Sequence, residues 1–168
     1  MNNYNAIPED VKLFNNTFGK PVPTSPVMAD PKRADFCYNF IMEEANELKE
    51  AYANNDIVEV LDAACDLAYV AVGDVLCAFG LVDKFPQAFA EVQASNMSKS
   101  CKTIEEAEET VQVRSEEHGP CHWEKQGDLY IVYRSRDRKV MKSINYFRPN
   151  LKQFFTEEEL SNIANEIY

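Results

Sequence analysis

The sequence predicts a mainly α-helical protein: a helical bundle built on one long antiparallel helix hairpin, with a small β-hairpin region appended near the C-terminus. Three observations predict it. From Lys32 to about Asn54 there is no Gly or Pro, and from Ile57 to Phe79 there is no Pro. Apolar residues recur through both stretches at helical spacing. Only after Gly119 does the pattern change to a run rich in aromatic and branched residues, Leu129-Tyr130-Ile131-Val132-Tyr133.

Pro8-Glu9-Asp10 places a proline and two acids where a first helical turn favours them, and Val11, Phe14 and Phe18 follow at helical spacing up to Gly19. Four prolines between Lys20 and Pro31 mark an extended connection. In the first long helix Phe36, Phe40, Ile41, Leu48, Ala51 and Tyr52 form one broad apolar side. Asn54-Asn55-Asp56 supplies a tight turn with an N-cap for the second, which Gly80 should stop. A further helix is expected over Lys84 to Met97, with Pro86 in its first turn. Thr103-Ile104-Glu105-Glu106 opens an exposed acidic helix to about Glu117, and Thr156-Glu157-Glu158-Glu159 caps a last one to Tyr168. A strand pair should turn around Gln126-Gly127-Asp128, with a second turn at Asp137-Arg138 leading to Val140-Met141-Lys142. The domain organisation read from this is a helical catalytic core over residues 1–100. The appended acidic helix, β-hairpin and C-terminal helix of 101–168 should pack on the same domain.

A chain of 168 residues suits one core, and its 45% hydrophobic content supplies the material. Seventeen Lys and Arg against 28 Asp and Glu leave a net charge of −11, so nucleic acids and anionic membranes are not expected partners, and a phosphorylated substrate would need bound cations. The longest apolar stretch, Leu67 to Val72, is far below the ~20 residues that span a bilayer. Met1-Asn2-Asn3-Tyr4-Asn5 has no basic run leading into an apolar core. The five cysteines form an odd set lying partly in apolar helical patterns and imply no disulfide framework, which points to a cytoplasmic protein.

Glu43, Glu44 and Glu47 fall within one turn of the first long helix. Alone they read as a solvated face. In the second helix Glu59, Asp62 and Asp66 are the only charged residues from Ile57 to Gly73, aligned on one stripe and flanked by apolar side chains. A helix so apolar is expected to be largely packed, which makes mutual repulsion among its acids costly. With no Lys or Arg from Ile57 to Val82, a divalent metal is the economical counterion. Oxygen ligands without histidine suit Mg²⁺, with Mn²⁺ as substitute, and these ions suit phosphate substrates.

The pattern Glu43-Glu44-x-x-Glu47, then Glu59-x-x-Asp62 and Asp66-Leu67-Ala68-Tyr69-Val70, resembles the EExxE and ExxD motifs of the MazG-like all-α nucleoside triphosphate pyrophosphohydrolases. Arg33, Gly73, Phe79-Gly80, Ser95-Asn96-Met97-Ser98-Lys99 and Lys139-Val140-Met141-Lys142 with Asn145-Tyr146 resemble the phosphoribosyl-ATP pyrophosphohydrolase-like branch, over roughly residues 8 to 155. The resemblance implies hydrolysis of a (deoxy)nucleoside triphosphate to the monophosphate and pyrophosphate by a homodimer or homotetramer. It implies metal binding by Glu44, Glu47, Glu59, Asp62 and Asp66, with Glu43 joining Glu44, Glu47, Glu59 and Asp62 in catalysis. Because the second-motif Asp of many relatives directly precedes the apolar run, either Glu59-x-x-Asp62 is that motif or Asp62 and Asp66 share its role. Asn96, Lys99, Lys142 and Asn145 are the implied substrate contacts.

Tyr69 and Phe36 could stack on a base, although aromatics at this spacing are more often core. His118-x-x-Cys121-His122 with Cys101 matches no standard zinc spacing, so no zinc is expected. Two other readings are an acidic, non-catalytic helical scaffold and the biosynthetic phosphoribosyl-ATP pyrophosphohydrolase, against which the extended C-terminal region argues.

Overall fold

The computed structural model describes residues 6–165. The order is α1 (Ala6–Thr17), α2 (Pro31–Ala53), α3 (Ile57–Ala68), a π-helical turn (Tyr69–Asp74), α4 (Val75–Ala78), a 3₁₀ turn (Val82–Lys84), α5 (Phe85–Met97), α6 (Ile104–His118), β1 (Cys121–Gln126), β2 (Leu129–Arg134), a second 3₁₀ turn (Leu151–Phe154) and α7 (Glu157–Asn165). The fold is mainly α with a two-stranded antiparallel sheet, as the sequence predicts. Met1–Asn5 and the expected end of the last helix at Tyr168 lie outside the described residues. Among the described residues no single helix is long and apolar enough to cross a membrane.

The chain divides into two compact units, Met1–Ala88 with Lys152–Tyr168, and Phe89–Leu151. The C-terminal segment joins the first unit because the Lys84 ammonium donates to the Phe154 carbonyl at 2.7 Å and pairs with Glu159 at 2.9 Å.

In the first unit the Asp30 carboxylate accepts the Lys32 and Arg33 amides and starts α2 with Pro31 in its first turn. Asn55, at φ 54°, turns the chain, and Asp56 caps α3 through the Val58 and Glu59 amides. The second long helix is not one regular α-helix. It widens into the π turn at Tyr69–Asp74, where Gly73 lies so close to Val11 that a β-carbon would collide with that side chain. It stops at Gly80, whose amide bonds the Cys77 carbonyl while Leu81 bonds that of Leu76. Val11, Cys77 and Val82 form this unit's core.

One expectation about packing changes. Ile57, Val58 and Leu61 are 77%, 69% and 66% exposed, so the second long helix is not packed on nearly all sides within one chain. Within the wide turn, Asp74 is buried. It accepts from Arg33 Nη2 at 2.5 Å and from Asn15 Nδ2 at 3.2 Å, tying α1, α2 and the bent helix together.

The second unit packs α6 on the hairpin around Cys101, Ala107, Val132 and Met141. Thr103 Oγ1 accepts the Glu106 amide, and Gly127 turns the strands at φ 59°. Residues 139–141 run beside β2, where Met141 donates to Val132 and Arg134 to Lys139.

Burial by itself would raise the Asp74 pKa. Hydrogen bonds from Arg33 and Asn15 and the charges of Arg33 and Lys20 outweigh it and hold the carboxyl below the aspartate range. A depressed folded-state value stabilises above the unfolded value of about 3.9 and is lost as pH falls through the folded one. Arg33→Met, which strands a buried carboxylate, should cost about 3–5 kcal/mol in urea unfolding at neutral pH. The deficit should shrink as pH falls from the unfolded value of about 3.9 toward the depressed folded one of Asp74.

Candidate active site

Glu43, Glu44 and Glu47 come from α2, and Glu59, Asp62 and Asp66 from α3, antiparallel neighbours joined by the Asn54–Asp56 turn. All are solvent-exposed except Glu44, which is half-buried. Its Oε2 is fully covered and has no hydrogen-bond partner. Burial pushes the Glu44 pKa up, and the charges of Glu47, Asp66, Glu43 and Asp62 add to the shift, so acids of both helices act on this one carboxyl. At the turn end of the hairpin a cavity of ≈ 300 Å³ is lined by Glu47, Glu50, Asn54, Asp56, Glu59 and Asp62, with Ala51 and Ala63. Glu47 and Asp62 belong to both groups. Asp56 is committed to capping α3, whereas Glu50 is an acid that the motif reading does not single out.

The sequence argument required the α3 acids to be buried, and they are not. What remains is Glu44, a covered carboxylate oxygen facing like charges without a donor, which costs energy unless a cation or proton meets it. No Lys, Arg or His lines the cavity, and its donors are all hard oxygens. These features fit a hard divalent ion. Among the described residues no three acids are already gathered into a ready metal cage.

The other nominated residues lie in the second unit. The Lys99 ammonium donates to Asn96 Oδ1 at 2.8 Å. Lys142 Nζ sits 4.4 Å from the Tyr146 ring centroid, and Lys99 and Lys142 line one cavity. Asn145 does not line it; its amide donates to Ser143 Oγ and its side chain hydrogen-bonds Glu106.

The family model of phosphoribosyl-ATP pyrophosphohydrolase matches residues 11–96, slightly more than half of the chain and all six nominated acids. The chain belongs to this family. The phosphoribosyl-ATP pyrophosphohydrolase family is part of the MazG-like all-α nucleoside triphosphate pyrophosphohydrolase superfamily. The protein is thus a pyrophosphohydrolase acting on a nucleotide-like substrate. The curated proteins searched gave no match to the chain.

Within the matched segment Phe36 and Tyr69 are not core: they are 41% and 37% exposed. Phe36 packs on Phe40, Tyr69 meets Phe14 edge-on, and Lys20 lies 5.2 Å from the Phe14 centroid and 5.9 Å from that of Phe36. In the second unit Cys101 Sγ meets Thr110, and His122 meets Ser135 and Glu124, so the His and Cys residues weighed for zinc have separate partners. Asp74 and Asn15 are absent from the motif reading. The available signal was an acid inside the apolar run Val70–Ala78, with Arg33 among the few cations of the preceding long helix.

Because Glu44 titrates above its unfolded value of about 4.3, the folded apo-protein holds its proton more tightly. Stability should therefore fall as pH rises from that value through the folded one. Glu44→Gln should remove this loss, giving a metal-free Tm at neutral pH equal to or above wild type and a flatter Tm profile from pH 4 to 7. A lower Tm across that range would contradict the site's electrostatics.

Proposed function

We propose that the protein hydrolyses a (deoxy)nucleoside triphosphate to its monophosphate and pyrophosphate, controlling or cleansing the nucleotide pool. Glu44, Glu47 and Asp62 would hold Mg²⁺ or Mn²⁺, with Glu43, Glu59 and Asp66 ligating or holding water. The observation that carries this reading is Glu44, whose covered, partnerless oxygen lies in the field of four other acids. A bound Mg²⁺ supplies neutralisation of the phosphate oxygens and a water of lowered pKa.

The acids of this set would orient an attacking water and take its proton as its oxygen bonds to the α-phosphorus; the bond from that phosphorus to the bridging oxygen would break, and pyrophosphate would leave with the electron pair. Asn96, Lys99, Lys142 and Asn145 are proposed to contact the substrate, the lysines as point charges for phosphate. A carboxylate that holds metal needs no serine, cysteine or histidine nucleophile. The family match also supports phosphoribosyl-ATP as substrate, and a panel of nucleoside triphosphates beside phosphoribosyl-ATP separates the two.

We also propose a homodimer or homotetramer. Ile57, Val58, Leu61, Tyr38 and Tyr52 are each more than 60% exposed on the two hairpin helices, an apolar display that a second copy of the chain would cover. The five unpaired cysteines support a reducing compartment such as the cytoplasm.

Glu47→Gln and Asp62→Asn should each lower kcat at least about a hundredfold while leaving the fold intact by circular dichroism. EDTA should abolish turnover, and activity should rise from acid to mildly alkaline pH. In ¹⁸O-water the label should enter the monophosphate; label in pyrophosphate, or orthophosphate and a diphosphate as products, would refute attack at the α-phosphorus. Light scattering of wild type and Leu61→Asp tests the assembly, since a monomeric wild type at micromolar concentration removes it.

A further inference from the structure

The second unit holds a cavity of ≈ 290 Å³ lined by Lys99, Arg114, His118, Lys139 and Lys142 together with Val140 and Met141. In a chain of net charge −11, no carboxylate lines it. Arg114 and His118, four residues apart, share one face of α6. Their positions and those of Lys99, Lys139 and Lys142 lie outside the family-matched segment 11–96.

The cations stand on fixed backbone. Arg114 Nε donates to the Lys142 carbonyl at 2.8 Å, the Arg134 amide to that of Lys139 at 2.9 Å, and the Ser143 amide to that of Lys99 at 3.2 Å. Met141 is buried and donates to Val132 at 2.8 Å. Lys139 makes no ion pair among the described residues, and the Lys142 ammonium is held over Tyr146. Gathering such groups costs repulsion that one monoanion would leave mostly uncompensated, whereas a polyphosphate carries enough charge to meet several of them.

Glu117 is placed to interfere. It accepts from Arg114 Nη1 at 2.6 Å, and the same oxygen lies 3.5 Å from His118 Nε2, although Glu117 itself is not part of the lining. An incoming anion and this carboxylate compete for the Arg114 guanidinium and for the place beside His118.

We propose that this cavity is an anion site for the diphosphate or triphosphate group of a phosphorylated ligand, filled without a metal ion and opposed by Glu117. Lys99 and Lys142 are shared with the proposed substrate contacts, but binding here does not depend on hydrolysis.

The test is calorimetric titration of the full chain in EDTA at low salt with inorganic pyrophosphate, and separately with a non-hydrolysable α,β-imido nucleoside triphosphate. Wild type should bind pyrophosphate saturably, one per chain. Lys139→Met should weaken it about tenfold and Arg114→Met at least as much, Glu117→Gln should tighten it about fivefold, and Glu47→Gln should leave it unchanged. Lys139 makes no side-chain bond that folding needs, so its variant remains decisive if Arg114→Met misfolds. Binding of pyrophosphate alone identifies the free diphosphate as ligand; binding of the imido analogue as well identifies the nucleotide's own phosphate tail. Absence of saturable binding, or wild-type affinity in Lys139→Met, overturns the site, and an affinity not raised in Glu117→Gln overturns the competition. None of these outcomes depends on turnover, so a failure here is distinct from a failure of the proposed hydrolysis.

Discussion

Asp74 is a carboxylate inside a helical unit, and its burial is tolerable only because Arg33 and Asn15 meet it. Those partners belong to two other helices. The hairpin of α2 and α3 is consequently fastened at both ends, by the capped turn at Asn54–Asp56 and by the Arg33–Asp74 bond at the end of the π turn. The six acids lie between the fastenings. Like charges on helices repel by a few tenths of a kcal/mol per pair, whereas breaking a buried ion pair costs about 3–5 kcal/mol, so the fastening wins and the acids stay opposed. The energetic strain falls on Glu44, the one carboxyl that is both covered and surrounded.

Charge is segregated between the units. The first carries an acid set whose adjoining cavity no cation lines, and the second a basic cavity that no carboxylate lines. Most surface charges in a small domain find an opposite neighbour, as Arg134 does with Asp137 and Arg138 with Glu124. A set of one sign left unneutralised forgoes that gain, and such departures from local consistency concentrate where a ligand completes the balance.

Local chemistry made much of the fold legible. The Asn54–Asp56 turn, the stop at Gly80, the Thr103 and Thr156 caps and the hairpin at Gly127 each depend on a few adjacent residues, and each is present. The six acids were legible as two stripes by helical spacing alone. What escaped depends on distant partners. Asp74 turns inward because Arg33, 41 residues away, receives it, and nothing beside it in the chain announces that. The return of the C-terminal segment to the first unit goes with Lys84 meeting Glu159 across 75 residues. Apolar Ile57, Val58 and Leu61 signal that α3 wants cover; they do not say whether the cover comes from the same chain, and in a single chain it does not.

Frustration of this kind has a stability consequence. A cation at the acids and a second chain over Ile57, Val58 and Leu61 would each bind the folded state and not the unfolded one, so each would stabilise by mass action. The metal-free monomer is then the least stable form, with acids repelling on one side of α3 and apolar side chains wetted on another. Replacing the acids by apolar residues would relieve the repulsion and remove the ligands at once, which is the usual opposition between stability and a working site. The buried Arg33–Asp74 bond supplies the margin within which α2 and α3 can hold six carboxylates together before anything binds.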